Sequence, residues 1–428
     1  MSNEINRVPH AAGNGLLDRR LFLRSAIAGA STLALTAPSI AQWVGEGQPA
    51  SMLTPGSGME AYGLPAKSEL ERVKRWTIPP GSGGRPMSWG GLTPHHLLHG
   101  TITPNGLHFE LNHQGIPDID PQQHSVVIHG MVRQAAKYTV EQLENYPTVT
   151  RQHFLECAGN SSVLAADKPA DPVMTLTRTH GLLSASEWTG VPLATLLDEC
   201  GVEKGARWLV VEGGDSGSTT RSIPLSKAMD DSMIAIFQNG ERLRPGNGYP
   251  MRLFNPGYEG NTSIKWVRSI YVSDKPVHSR FETSKYTDLM KDDVSLQFTL
   301  EMGCKSVITR PSNTSKLSRH GVYEITGLAW SGAGKVRKVE VSADGGKTWA
   351  EAELQVPVQS KMLTRFRIPW QWRGQPAVLQ SRVYDEKNSC QPTRKELLAA
   401  IGGYRHYHYN AIHSWSVDKS GEISHVFA

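Results

Sequence analysis

The feature that most constrains the fold is a change of rhythm at about residue 298. Beyond it, Tyr323-Glu-Ile-Thr-Gly-Leu328, Val336-Arg-Lys-Val-Glu-Val341 and Phe366-Arg-Ile-Pro-Trp-Gln-Trp372 show period-two patterning. That period puts alternate side chains on opposite faces of a strand. The second run enters a turn at Asp344-Gly345-Gly346 and resumes at Thr348-Trp349. Short strands at this spacing predict an antiparallel β-sandwich of immunoglobulin type over residues 298–428. Such a module packs against or docks partners more often than it catalyses.

Upstream the pattern is mixed. Thr150–Cys157, Ser125–Val132, Arg207–Val211 and Met233–Phe237 carry the apolar and β-branched content of strands, the last closed by the hairpin pair Asn239-Gly240. Pro192-Leu-Ala-Thr-Leu-Leu-Asp-Glu-Cys200-Gly201 predicts a short helix, with proline at its start and glycine past its end. Leu193, Leu196, Leu197 and Cys200 fall on one helix face, so Cys200 belongs to the core. Residues 43–94, rich in Gly, Pro and polar side chains, are expected to wrap the surface. The whole predicts an α+β, β-rich domain over residues 42–297, since 428 residues exceed one ordinary core.

Residues 1–41 have the composition of a leader. Asp18-Arg-Arg-Leu-Phe-Leu-Arg24 precedes the apolar run Ser25–Ile40, and Ser39-Ile-Ala41 offers a cleavage site. The run is too short to span a bilayer. A plain secretory signal also starts basic, but Arg-Arg-x-Phe-Leu is closer to a twin-arginine signal, which exports folded proteins to the periplasm. No membrane span is expected after the leader is removed. The formal charge of +5 is small, and no basic block interleaved with aromatics points to nucleic acid. Four scattered cysteines form no Cys-x-x-Cys-His motif, so no c-type haem is expected on this chain.

The chemistry concentrates at Thr150-Arg-Gln-His-Phe-Leu-Glu-Cys157-Ala-Gly-Asn160. A lone cysteine after an apolar pair is ordinarily packed core. A thiolate at a strand end, before an Ala-Gly-Asn turn, can equally hold a soft metal that must meet substrate. The pair His95-His96 can ligate, though loop or solvent exposure is the expected reading. Asp215, in Glu212-Gly-Gly-Asp215, could accept hydrogen bonds from an electron-poor heterocycle. Asn247-Gly-Tyr-Pro-Met-Arg252 and Asn261-Thr-Ser-Ile-Lys265 each place a cation beside a turn, where a phosphate can be met.

In this order, and with Glu156-Cys-Ala-Gly-Asn160 upstream, these segments resemble the sulfite oxidase family of molybdenum enzymes. The resemblance extends to Trp188-Thr-Gly-Val-Pro-Leu193, Ser222-Ile-Pro224 and the Ser342–Trp349 hairpin. It implies a sulfite oxidase-type catalytic domain followed by a dimerisation domain. It further implies molybdenum held by a pterin dithiolene and the Cys157 thiolate, with His113 also at the catalytic centre. Pterin contacts would come from Phe109, Asn112, His113, Asp215, Asn247, Arg252, Ser263 and Lys265.

The pattern breaks in three places. Leu111 stands where sulfite oxidases carry the arginine of Arg-Asn-His, Thr219 where a tyrosine is common, and His413-Ser-Trp-Ser-Val417 lacks the late arginine. Each charge-assisted bond lost to a dianion costs roughly 1.5–3 kcal/mol. With the leader, these departures resemble the sulfane dehydrogenase branch of the family. That resemblance implies a homodimer within a hetero-oligomer, a c-type cytochrome subunit as electron acceptor, and a sulfur-carrier protein as substrate. A periplasmic sulfite dehydrogenase is the nearest alternative, and a non-enzymatic extracytoplasmic binding protein the alternative from another class. A methionine-sulfoxide reductase of the same chemistry lacks the C-terminal sandwich.

Overall fold

A computed structural model describes residues 10–23, 61–78, 89–165, 170–401 and 407–428, with isolated positions between 52 and 59. The β-branched run Ser125–Gly130 lies in a five-stranded mixed sheet ordered Ala136–Thr139, Ser125–Gly130, Val267–Ser273, Trp208–Gly213, Thr220–Pro224. Its Val267–Ser273 strand runs parallel to Ser125–Gly130 and antiparallel to Trp208–Gly213. A second sheet runs Glu241–Arg242, Met233–Gln238, Leu183–Pro192, Val149–Glu156, all antiparallel. Helix Leu193–Cys200 lays Leu193, Leu196, Leu197 and Cys200 into one core with Ile128, Val211 and Ile270 of the first sheet and Val191 and Ile234 of the second. Alternation in the sequence thus becomes a shared apolar interior, the main favourable term in folding.

The C-terminal part is a two-sheet sandwich. One sheet is ordered Lys305–Arg310, Gly321–Trp330, Thr364–Trp372, Glu353–Leu354; the other Ala350–Glu351, Val336–Ser342, Ala377–Asp385, Ser414–Val417, Ile423–Val426. This strand order is the immunoglobulin arrangement. Trp330, Trp370 and Phe366 from the first sheet meet Val339, Val341, Leu379 and Trp415 from the second. The same core takes in Phe154, Leu183 and Ala185 from the catalytic side. At this junction Gly257 and Gly332 face each other, and a Cβ on Gly257 would stand 2.4 Å from the Gly332 carbonyl oxygen. Only glycine admits two backbones so close.

Three expectations change. Residues 61–72 do lie mostly exposed, but Trp76–Ile78, Trp89–Leu92 and Glu110–Asn112 pair into a three-stranded sheet rather than a simple wrap. His95 is buried, with Nε2 3.0 Å from the Leu183 carbonyl, and burial lowers its pKa to about 3, so it is a neutral packing residue and not a solvent-facing one. Residues 10–23, within the stretch read as a leader, pack on the sandwich and bury Leu16 and Leu17 completely. The apolar run Ser25–Ile40 lies outside the described residues. Among the described residues no helix is long and apolar enough to cross a membrane.

Candidate active site

Strand Val149–Glu156 ends where the sequence turns to small residues. The Cys157 amide donates to the Leu182 carbonyl (3.0 Å), and the Asn160 amide closes the turn on the Cys157 carbonyl (2.8 Å). Asn160 also donates to Glu156 Oε1 (2.8 Å) and accepts from the Leu182 amide (3.2 Å). Glu156 is fully buried, and the sandwich completes its coordination: Lys305 Nζ stands 3.0 Å from Oε1 and Trp330 Nε1 2.6 Å from Oε2. Lys305 further donates to Ser161 Oγ (2.8 Å). On the other flank a Cβ on Gly260 would lie 2.8 Å from the Glu156 carbonyl oxygen, so glycine lets that loop close over the turn. Burial pushes the Cys157 thiol up to about 11, and the neighbouring Glu259 and Glu156 act in the same direction. A thiolate at this position therefore needs a cation of its own.

Cys157 opens into a partly enclosed cavity. Its lining includes Phe109, Asn112, His113, Cys157, Asp215, Asn247, Arg252, Ser263 and Lys265, so the residues that the family resemblance assigned to the metal and pterin meet at one place, while His95 and His96 lie outside it. Arg252 is buried and donates to the Asn247 carbonyl (2.8 Å) and the Ser263 carbonyl (2.7 Å), while its Nε finds no hydrogen-bond acceptor among the described residues. Lys265 Nζ donates to the carbonyls of Gly246 (3.0 Å) and Leu111 (3.2 Å) and to Asn112 Oδ1. Burial lowers Arg252 to about 9; burial, then the neighbouring Arg252 charge, lowers Lys265 to about 7. The side-chain amide nitrogens of Asn112 and Asn247 are buried and find no acceptor among the described residues. Asp215 accepts from the Thr219 amide (2.8 Å) and hydroxyl (2.7 Å).

These groups fit a phosphorylated heterocyclic cofactor. Unused donors and uncompensated buried cations favour an anion, the Asp215 carboxylate suits ring N–H groups, and a buried thiol awaits a soft metal.

Several lining residues escaped the sequence reading. Tyr286 and Phe281 come from a stretch without motif or periodicity. Tyr286 holds a left-handed φ of 47°, a conformation rare outside glycine and common at functional sites. Its ring lies 5.0 Å from the guanidinium of Arg221 and 4.9 Å from the Tyr407 ring. Arg221 is fully buried and ion-paired with Glu282 (2.9 Å) and Glu259 (3.4 Å). The one available signal was its place beside Ser222-Ile-Pro224. Leu111 lines the cavity half-buried, and Thr219 is committed to Asp215.

Comparison with known proteins agrees with this geometry. Residues 113–281 match the family model of the oxidoreductase molybdopterin binding domain, and residues 297–415 that of the Mo-co oxidoreductase dimerisation domain. Among solved structures the chain is similar to the sulfane dehydrogenase SoxCD from Paracoccus pantotrophus. The two are 42% identical with a TM-score of 0.83, covering 87% of this chain and 95% of that one. It is also 31% identical over 308 residues to an NADH nitrate reductase of Solanum lycopersicum, covering 64% of this chain and 33% of the relative. For NADH nitrate reductase 1 of Phaseolus vulgaris the figures are 28% over 386 residues, 81% and 43%. The chain thus spans well under half the length of these curated plant relatives. It belongs to the sulfite oxidase family of molybdenum enzymes, as an oxidoreductase with a molybdopterin-binding domain and a dimerisation domain.

Proposed function

We propose that this chain is the molybdenum subunit of a periplasmic sulfane dehydrogenase. Its substrate is sulfane sulfur carried on a cysteine of a carrier protein, and its electrons pass to a c-type cytochrome subunit. In this reading residues 1–41 are a twin-arginine leader, 42–297 the catalytic domain and 298–428 the dimerisation domain. The observation that carries it is the charge balance beside Cys157. Leu111, Leu155, Phe281 and Tyr286 line that cavity, and the nearby Arg221 is already neutralised by Glu259 and Glu282. Among the described residues the cations that line the cavity, Arg252 and Lys265, are the two this reading gives to the cofactor, so a small dianion such as sulfite finds no further one to replace its hydration, whereas a carrier brings binding energy from its own surface. The likeness to a sulfane dehydrogenase over most of the chain supports the same choice.

The residues divide the work. Arg252 and Lys265, with the side-chain amides of Asn247 and Asn112, hold the cofactor's phosphate end. Asp215, Phe109, Ser263 and His113 orient the pterin, and Cys157 provides the protein's thiolate to the metal. When bound, the molybdenum supplies two-electron oxygen-atom chemistry at sulfur. Tyr286 offers a phenol donor in the cavity, kept protonated by burial and by the nearby Cys157 and Glu259.

The test is kcat/KM for free sulfite and for carrier-bound sulfane sulfur, with a c-type cytochrome as acceptor. Leu111→Arg should raise sulfite turnover by roughly tenfold or more, the worth of one charge-assisted bond, and lower turnover of the carrier. Efficient sulfite oxidation by the unaltered protein, with no action on any sulfane carrier, selects the sulfite dehydrogenase reading instead. Arg19→Lys with Arg20→Lys tests the leader, and should leave loaded protein in the cytoplasm.

A further inference from the structure

Strand Thr364–Trp372 is covered on its outer side by Glu353–Leu354 only at Arg367 and Phe366. Past that point its edge is taken by the described N-terminal residues. The Leu17 amide donates to the Pro369 carbonyl (2.9 Å), and the Gln371 amide donates to the Gly15 carbonyl (2.7 Å). The segment doubles back on itself, with the Ala11 amide on the Leu16 carbonyl (2.8 Å). Side chains add specificity. Trp370 Nε1 donates to the Asn14 carbonyl (2.8 Å), and Asn14 Nδ2 donates to the carbonyls of Ala343 (2.7 Å) and Pro376 (3.1 Å). The Gly13 amide donates to Thr348 Oγ1 (2.8 Å).

Leu16 and Leu17 are completely buried, and Leu16 joins the sandwich core. Gly15 has φ +94°, and a Cβ there would stand 2.2 Å from the Gln371 carbonyl oxygen. Immediately after this anchor come Asp18-Arg19-Arg20, and Arg19 pairs with Glu353.

We infer that the open edge of strand Thr364–Trp372 is a recognition site for a short doubled-back segment, residues 10–19, and that the folded sandwich thereby holds Arg19, the first of the arginine pair, against its own surface. The mode is strand addition, in which main-chain bonds give affinity and pockets for alternate side chains give specificity. Every acceptor and donor named above belongs to the finished sandwich, from Ala343 to Pro376, so an unfolded chain has nothing to grip the segment with. If residues 1–41 are removed on export, this edge is left with the Gln371 amide and the Trp370 indole unsatisfied, a vacant site for the same peptide. That export consequence rests on the twin-arginine reading; the docking site does not.

The test uses the full-length folded protein. Gly15→Val should break the anchor and speed tryptic cleavage after Arg19 at least tenfold, with Asn14→Ala giving a smaller acceleration in the same direction. A synthetic peptide of residues 8–23 should bind the protein isolated without residues 1–41, and the same peptide carrying Gly15→Val should not. Equal cleavage rates in the original protein and in Gly15→Val, together with no binding of either peptide, overturn the site. Because the cleavage and peptide-binding assays involve no export, a failed leader and a failed docking site give different results.

Discussion

Arg252 and Lys265 on the cavity wall and Lys305 behind the Cys157 turn are all cations in the interior, but they keep different company. Lys305 meets the carboxylate of Glu156 and the hydroxyl of Ser161, and Trp330 takes the other carboxylate oxygen. Arg252 and Lys265 donate, among the described residues, to carbonyl and amide oxygens and lie over the Trp188 and Trp266 rings. The carboxylates nearest Lys265 are engaged elsewhere, Glu110 with Arg75 (2.5 Å) and Asp215 with Thr219. A buried charge that is fully paired is architecture; one left with neutral partners is a site for an anion. The catalytic domain thus supplies the charge that holds a cofactor. The sandwich supplies the brace that holds the turn of Cys157, the residue proposed as the metal's protein ligand.

The comparison breaks most visibly at Lys305. Lys305→Met strands the Glu156 carboxylate without its cation and should cost about 3–5 kcal/mol of stability, measured by denaturant unfolding of the cofactor-free protein. Adding Glu156→Gln to it should recover most of that loss, since the unpaired charge is then gone. A loss below about 1 kcal/mol in the single variant would mean that the brace is not built on this pair.

Arg252→Leu should behave in the opposite manner. Removing an uncompensated cation leaves the cofactor-free fold as stable as before or slightly more so. Losing about 1.5–3 kcal/mol of charge-assisted binding should weaken cofactor retention roughly tenfold to a hundredfold. Molybdenum and pterin content after extended dialysis reads this directly.

The smallest effect is in pH. Without an anion the folded pKa of Lys265 lies near 7, below its ordinary 10.5, so between those values the unfolded chain binds more protons than the folded one. Stability of the cofactor-free protein should therefore rise with pH from about 7 towards 10. The rise is on the order of 1 kcal/mol once partial exposure is discounted. Lys265→Met should flatten the profile, as should the bound cofactor. A profile for Lys265→Met as steep as the original would assign the slope to other groups.

Much of this was legible in the residues, and the gaps have physical reasons. Val336–Val341 declared itself because it has one wet and one dry face, whereas Tyr323–Leu328 and Phe366–Trp372 were legible from the alternation of residue types although much of each is buried on both faces. The Cys157 turn was legible because Ala-Gly-Asn can do little else. The sheet of Trp76–Ile78, Trp89–Leu92 and Glu110–Asn112 was not, because Gly90 and Gly91 are poor strand formers and only distant pairing makes them one. Tyr286 was invisible for a related reason. Its place in the cavity comes from the fold around it, and its stretch carries no periodic signal. His95 misled because a histidine pair looks polar, while its burial depends on Leu183, far along the chain.

The brace on Glu156 also has a consequence for the order in which the molecule is made. Lys305 lies 149 residues after Glu156 and Trp330 lies 174 after it. A chain emerging from the ribosome therefore exposes Cys157 well before the groups that fix its turn have been synthesised. The Cys157 turn proposed to seat the metal is braced only once the chain has passed Trp330, so a shorter nascent chain lacks the groups that fix it.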